Sequence, residues 1–247
     1  MLPELLKIYN ESRINPGEPK CLFAETLIFN EGWMLRAVLK EWLSASQRSR
    51  FGFLPFPSGT KVYSEAQLYT PFKARYRGDR QAESHTHVDG IVGNFEFSSS
   101  KSGIRLSPDF RYLAVFEAKM NSPLSRGTKN APHFDQVSRT AACMSHAILE
   151  AGPKGDYAVH LVVLYAAGNK KVHPGQYTSA YVEEQIADRI QGYLSSDERN
   201  KPSARFFGEW KSVLSRIQIR FLTWEDVLAE ITNDELNQFY RLCKEFN

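Results

Sequence analysis

Residues Tyr112-Leu113-Ala114-Val115-Phe116 are apolar without a break, and the run ends in Glu117-Ala118-Lys119. A short apolar run of this kind reads as a buried β-strand. Its residues are apolar on both faces, which argues against a surface strand. Side chains alternate along a strand, so Glu117 and Lys119 point one way and Ala118 the other. An acid and a base therefore stand side by side at the end of a core strand. Charges are costly to bury without partners, so the pair asks for a reason.

The rest of the chain supplies the setting for that strand. Apolar residues from Ala24 to Leu43 recur at helical spacing and predict a helix interrupted near Gly32. Val62–Leu68 and Glu83–Val92 read as the first two strands, with 112–120 as the third. A polar loop over 121–133 leads to a helix over about 134–150 that stops at Gly152-Pro153. Tyr157–Ala167 is a very apolar strand, and 181–194 is a further helix. Ile217–Leu222 is a short strand, Thr223 is a good N-cap for the next helix, and an amphipathic helix closes the chain over about 233–245. Residues 1–20 are weakly patterned with a turn at Asn15-Pro16-Gly17, residues 51–60 form a Pro- and Gly-rich loop, and the segment around Ser98-Ser99-Ser100 is ragged. The order predicts an α/β fold: a mixed central β-sheet flanked by helices. No internal repeat or linker divides the chain, so one domain is expected over 1–247, with its core over about 24–167 and a C-terminal extension over about 168–247.

At 42% hydrophobic and 24% charged, the chain is globular rather than disordered. A net charge of +3 permits nucleic-acid binding without arguing for it, so any basic surface must come from local clustering. Cys21, Cys143 and Cys243 are far apart and odd in number, which indicates neither a zinc site nor a disulfide framework. Cys143 lies inside an apolar helix and is expected to be buried. No basic-then-apolar leader is visible, and no apolar run approaches the ~20 residues that span a bilayer. The expectation is a soluble cytoplasmic protein with no membrane partner.

The second strand carries the residue that gives the Glu-Lys pair a purpose. Asp89 is followed by Gly90-Ile91-Val92-Gly93. If the second and third strands are neighbours, Asp89 can lie beside Glu117. Two carboxylates that close repel each other unless a cation sits between them. Mg²⁺ suits such a pair, since it prefers oxygen ligands and keeps several waters. Phosphodiester cleavage uses such an ion, and Lys119 is placed to orient water or to stabilise charge on the phosphate.

Asp89-Gly90, a gap, and Val115-Phe116-Glu117-Ala118-Lys119 resemble the PD-(D/E)xK nuclease superfamily, which has the restriction-endonuclease-like fold. The resemblance covers roughly residues 24 to 167, and the element order resembles that fold's α-βββ-α-β core, here with C-terminal helical additions. It implies a nuclease in which Asp89 and Glu117 ligate Mg²⁺, with Mn²⁺ as a possible substitute. It further implies that the Ala118 carbonyl assists and that Lys119 is catalytic. Members often carry a Glu on the first helix, for which Glu31 is the better candidate and Glu25 the second, and a Gln at the start of the helix after the third strand, matched by Gln136. Val88 stands where the motif's Pro would be; a literal Pro108-Asp109 is only eight residues before Glu117, too close for two strands and a turn. The resemblance implies DNA as the partner ahead of RNA, most often cut as an endonuclease. It leaves a homodimer open.

Other readings stand beside these. A lone ExK on a strand is ordinarily a solvated ion pair worth ~0–1 kcal/mol. His85 and His87 share Asp89's face by alternation, yet that spacing follows from the strand period alone. Trp33 and Trp42 read as core rather than stacking platforms. Arg126, Lys129 and Arg139 are candidates to hold phosphates, and a solvated loop explains the first two nearly as well. The alternative to a DNA nuclease is a nucleic-acid-binding or assembly protein without turnover, or an RNA-directed nuclease.

Overall fold

The computed structural model describes residues 2–12, 23–43, 54, 56–98, 103–196 and 205–247. Cys21, the Asn15-Pro16-Gly17 turn, part of the 51–60 loop, and Ser99 and Ser100 lie outside them. In chain order the elements are α1 (Leu2–Glu11), α2 (Glu31–Leu43), β1 (Lys61–Tyr69), β2 (His85–Gly93), β3 (Phe95–Phe97), β4 (Ile104–Leu106) and β5 (Tyr112–Lys119). They continue with α3 (Gln136–Ala151), β6 (Ala158–Tyr165), α4 (Ser179–Ser195), α5 (Phe206–Leu214), β7 (Ile217–Thr223), α6 (Trp224–Ala229) and α7 (Asp234–Phe246).

A five-stranded mixed sheet in the order β1-β2-β5-β6-β7 organises the molecule. β1, β2 and β5 are antiparallel neighbours, while β6 and β7 add in parallel through helical crossovers. Strand β5 alternates as its sequence requires. Leu113 and Val115 enter the core beneath α3, α4 and α5, whereas Tyr112, Ala114, Phe116 and Ala118 enter the core beneath α1, α2, α6 and α7. The chain after residue 167 thus contributes an edge strand and helices to both layers. No helix among the described residues is long and apolar enough to cross a membrane.

Local chemistry sets the element ends. Asn30 interrupts the first helical pattern: its side chain accepts from the Trp33 N–H at 3.0 Å, so α2 starts at Glu31 after a single 3-10 turn, and Gly32 lies inside the helix. Asp135 caps α3, and Gly152 ends it in the left-handed region at φ 58°. Thr223 and Asp226 form a capping box at α6. Trp42 is fully buried, but Trp33 sits at the core rim with Arg36 over its ring at 5.1 Å. Cys143 and Cys243 are free and buried.

Several features depart from the sequence reading, among them α5 (Phe206–Leu214), which falls where no element was expected. The weakly patterned N-terminus holds α1, and the ragged stretch after β2 holds the β3–β4 hairpin. The strict alternation expected through Asp89 is also broken. Val88 and Ile91, on opposite parities, enter the same core cluster. Tyr63 and Ala66 on β1 do likewise, and Glu65 between them takes φ 56° in the left-handed region. The face shared by His85, His87 and Asp89 therefore does not follow from spacing.

Candidate metal centre

The sheet forks at one point, and the predicted acids sit in the fork. β2 pairs with β5 only from Gly90↔Phe116 to Gly93↔Leu113. Beyond that pair β2 continues along β1 as far as His85, and β5 continues along β6 as far as Lys119. Asp89 is the first residue past the parting on β2, and Glu117 is the first on β5. Asp89 spans the gap in place of the lost ladder: its Oδ2 accepts the Ala118 N–H at 2.6 Å. Gly90 lets α2 close down beside it, because a Cβ there would lie 2.9 Å from Leu35 Cδ2 and 3.1 Å from Leu39 Cδ1.

Glu117 is completely buried. Its Oε2 accepts from Gln136 Nε2 at 2.5 Å and its Oε1 from the Thr140 hydroxyl at 2.8 Å. Ser125 fixes the Gln136 amide. The Ser125 N–H donates to Gln136 Oε1 at 3.2 Å and the Ser125 carbonyl accepts the Gln136 N–H at 2.9 Å, so the amide NH₂ faces Glu117. Burial pushes the Glu117 carboxyl up to about 8, and the Asp89 charge adds to the rise. Lys119 opposes it, as does Arg139 more weakly. Lys119 is half-buried, and its carbonyl accepts from Trp224 Nε1 at 3.1 Å, which ties the end of β5 to α6.

Asp89, Glu117, Lys119 and Gln136 are thus gathered at one place, with Ala118 supplying a backbone donor. Among the described residues, Glu31 forms no metal-holding group with them. It opens α2, and its charge bears on the buried Cys243 of α7, whose thiol is pushed up first by burial and then by Glu31. Among the described residues, no group of three or more Asp, Glu, His or Cys forms a metal-holding cluster. The side-chain carboxylates at the fork are therefore Asp89 and Glu117. That set fits Mg²⁺, which is commonly held by one or two carboxylates with waters and substrate phosphates completing its shell. Glu25 lies in the 3-10 turn ahead of α2, and Asp109 is exposed and bonded to Ser107.

Thr140 was not singled out from sequence. Its place four residues after Gln136, one helical turn along α3, was the available signal. A recess of about 410 Å³ adjoins the fork and is lined by His85, His87, Thr128, Lys129, Asn130 and Arg139. The His85 and His87 Nε2 atoms are 3.0 Å apart. Arg139 Nη1 is buried with no hydrogen-bond partner. Arg126 lines a different groove.

No protein-family model matches the chain, nor does any curated protein or any solved structure. Function is therefore read from the fork itself.

Proposed function

We propose that the chain is a divalent-metal-dependent nuclease of the PD-(D/E)xK kind, acting on DNA. The order α2, β1-β2-β5, α3, β6 supports the restriction-endonuclease-like core. One observation carries the reading: Glu117 is fully buried beside a second carboxylate, and its two hydrogen-bond donors are neutral. Such a group is short of positive charge, and a cation between the two acids supplies it.

Asp89 and Glu117 are the residues that hold the ion, with Mg²⁺ favoured and Mn²⁺ a substitute. When bound, the ion polarises a phosphoryl oxygen and lowers the pKa of water. Gln136 and Thr140 orient Glu117, and the Ala118 N–H orients Asp89. Lys119, two residues along the same strand, stabilises the charge that grows on the phosphate. Arg139 and Lys129 offer cations in the adjoining recess for a neighbouring phosphate.

The test is cleavage of supercoiled, linear and single-stranded DNA, and of RNA, in Mg²⁺, Mn²⁺ or EDTA. The expected result is metal-dependent DNA cleavage that is lost in Lys119→Ala. Cleavage of RNA alone would reassign the substrate. Binding without cleavage of any of these would assign a non-catalytic role.

A further inference from the structure

A groove of about 980 Å³ lies between the β5–α3 loop and the start of α4. Ser125, Arg126, Lys170, Lys171, Tyr177 and Tyr181 line it. Ser125 is also the residue that fixes Gln136, so the groove begins one hydrogen bond away from the group that holds Glu117. Arg126, Lys170 and Lys171 are exposed, and none is ion-paired among the described residues. The acid in the lining, Asp135, is buried and engaged: it caps α3 and accepts from the Tyr181 hydroxyl at 3.3 Å. Glu184 bears on Tyr181 more weakly than Asp135 does.

The walls are built. Asn169 is buried, donates to the Ser122 carbonyl at 2.9 Å and accepts the Lys171 N–H at 3.0 Å, which joins the two loops. Tyr177 stacks on Phe221 of β7 at 5.3 Å and 21°, and Tyr181 meets Tyr177 edge-on at 5.8 Å and 87°. The Arg126 charge bears on Tyr177. Cations alone suit any polyanion, because duplex binding is dominated by phosphate contacts. Tyrosines set among cations are a different arrangement. A ring is used as a platform only by a base that has left its stack, and such platforms alternating with cations hold single strands without sequence preference.

We propose that this groove binds an unpaired nucleic-acid strand, with its bases on Tyr177 and Tyr181 and its phosphates on Arg126, Lys170 and Lys171. The role, delivering a single-stranded segment to the fork, rests on the nuclease reading; the binding itself does not.

The experiment is fluorescence anisotropy in EDTA, using labelled oligo(dT) and a duplex of equal length across a salt series. The full chain binds the single strand more tightly than the duplex. Tyr177→Ala/Tyr181→Ala weakens single-strand binding about 30-fold or more and leaves duplex binding unchanged. The double Phe variant, which keeps both rings, binds like the parent. Lys170→Ala/Lys171→Ala alters only exposed side chains, and it lowers the salt slope for the single strand by about 0.7 for each phosphate left without its lysine. Equal affinity for duplex and single strand, or a Lys170/Lys171 variant with the parent's affinity and slope, overturns the groove whatever the cleavage assay gives. Conversely, binding that follows the tyrosines with no metal-dependent cleavage keeps the groove and removes the nuclease reading.

Discussion

Asp79 and Glu117 are both buried carboxylates, and their surroundings push them in opposite directions. Asp79 accepts from Arg75 Nε at 2.8 Å and Nη2 at 3.0 Å, and from the Gln81 N–H at 2.9 Å. Arg75 also donates to the Tyr193 carbonyl at 2.6 Å and lies over the Tyr193 ring at 4.2 Å. The guanidinium holds the Asp79 carboxyl down at about 2. Glu117 is pushed up by burial first and by the Asp89 charge second, with Lys119 and the Thr140 hydrogen bond opposing the rise. A buried acid with its own guanidinium stays ionised within the chain, whereas a buried acid beside another acid keeps a proton unless a cation replaces it. The same contrast sets Glu83, bonded to Arg189 at 3.0 Å, apart from Asp89.

The largest effect expected is on turnover. Asp89→Asn keeps an oxygen for the Ala118 N–H yet removes a ligand charge. It should lower metal-dependent cleavage by about 10³-fold or more, in line with loss of a key electrostatic group, while the melting temperature does not fall. Cleavage at the parent's rate would break the comparison at once. Asp79→Asn should do the reverse. It strands a buried guanidinium and costs about 3–5 kcal/mol in urea unfolding; a loss under about 1 kcal/mol would show that Arg75 is not dependent on it.

The two acids also predict opposite pH responses. Asp79 has its carboxyl lowered by folding, so its stabilisation is present above the usual carboxylate range and is lost as pH falls toward about 2. Glu117 has its carboxyl raised, so its contribution is full in acid and is lost as pH rises through about 8. Thermal unfolding in EDTA should therefore decline from pH 5 to 9, and Glu117→Gln should flatten that decline. An unchanged slope in the variant would place its origin elsewhere. The smallest effect expected is that of Thr140→Val, which removes one orienting hydrogen bond and should weaken metal affinity by about tenfold, read by Mn²⁺ titration.

Much of this was legible in the sequence because it is local. The apolar run before Glu117 and the Thr223 cap each follow from neighbours within a few residues, whereas Gln136 was marked only by the family resemblance. Helix α1 was missed, although Leu2, Leu5, Leu6 and Tyr9 keep helical spacing and Pro3 suits a first turn, because the pattern covers only ten residues. The β3–β4 hairpin has strands of three residues, too short for a period to register. The break at Asp89 was hidden because the left-handed residue opposite it is Glu65, where Gly or Asn would have signalled the turn. Glu31 could not be placed, because a helical period gives its face and not the neighbour it meets. The groove joins Arg126 to Lys170 and Lys171 through Asn169 and Ser122, a contact between loops that no local pattern encodes.

The central proposal is that Asp89 and Glu117 together hold a divalent cation. Calorimetric titration with Mn²⁺, in two buffers of different ionisation heat, tests it directly. The account predicts saturable binding with proton release below about pH 8, since the ion displaces the proton that burial keeps on Glu117. Both the binding and the proton release should disappear in Asp89→Asn and in Glu117→Gln. Absence of binding, or binding with unchanged affinity and proton release in both variants, would contradict it.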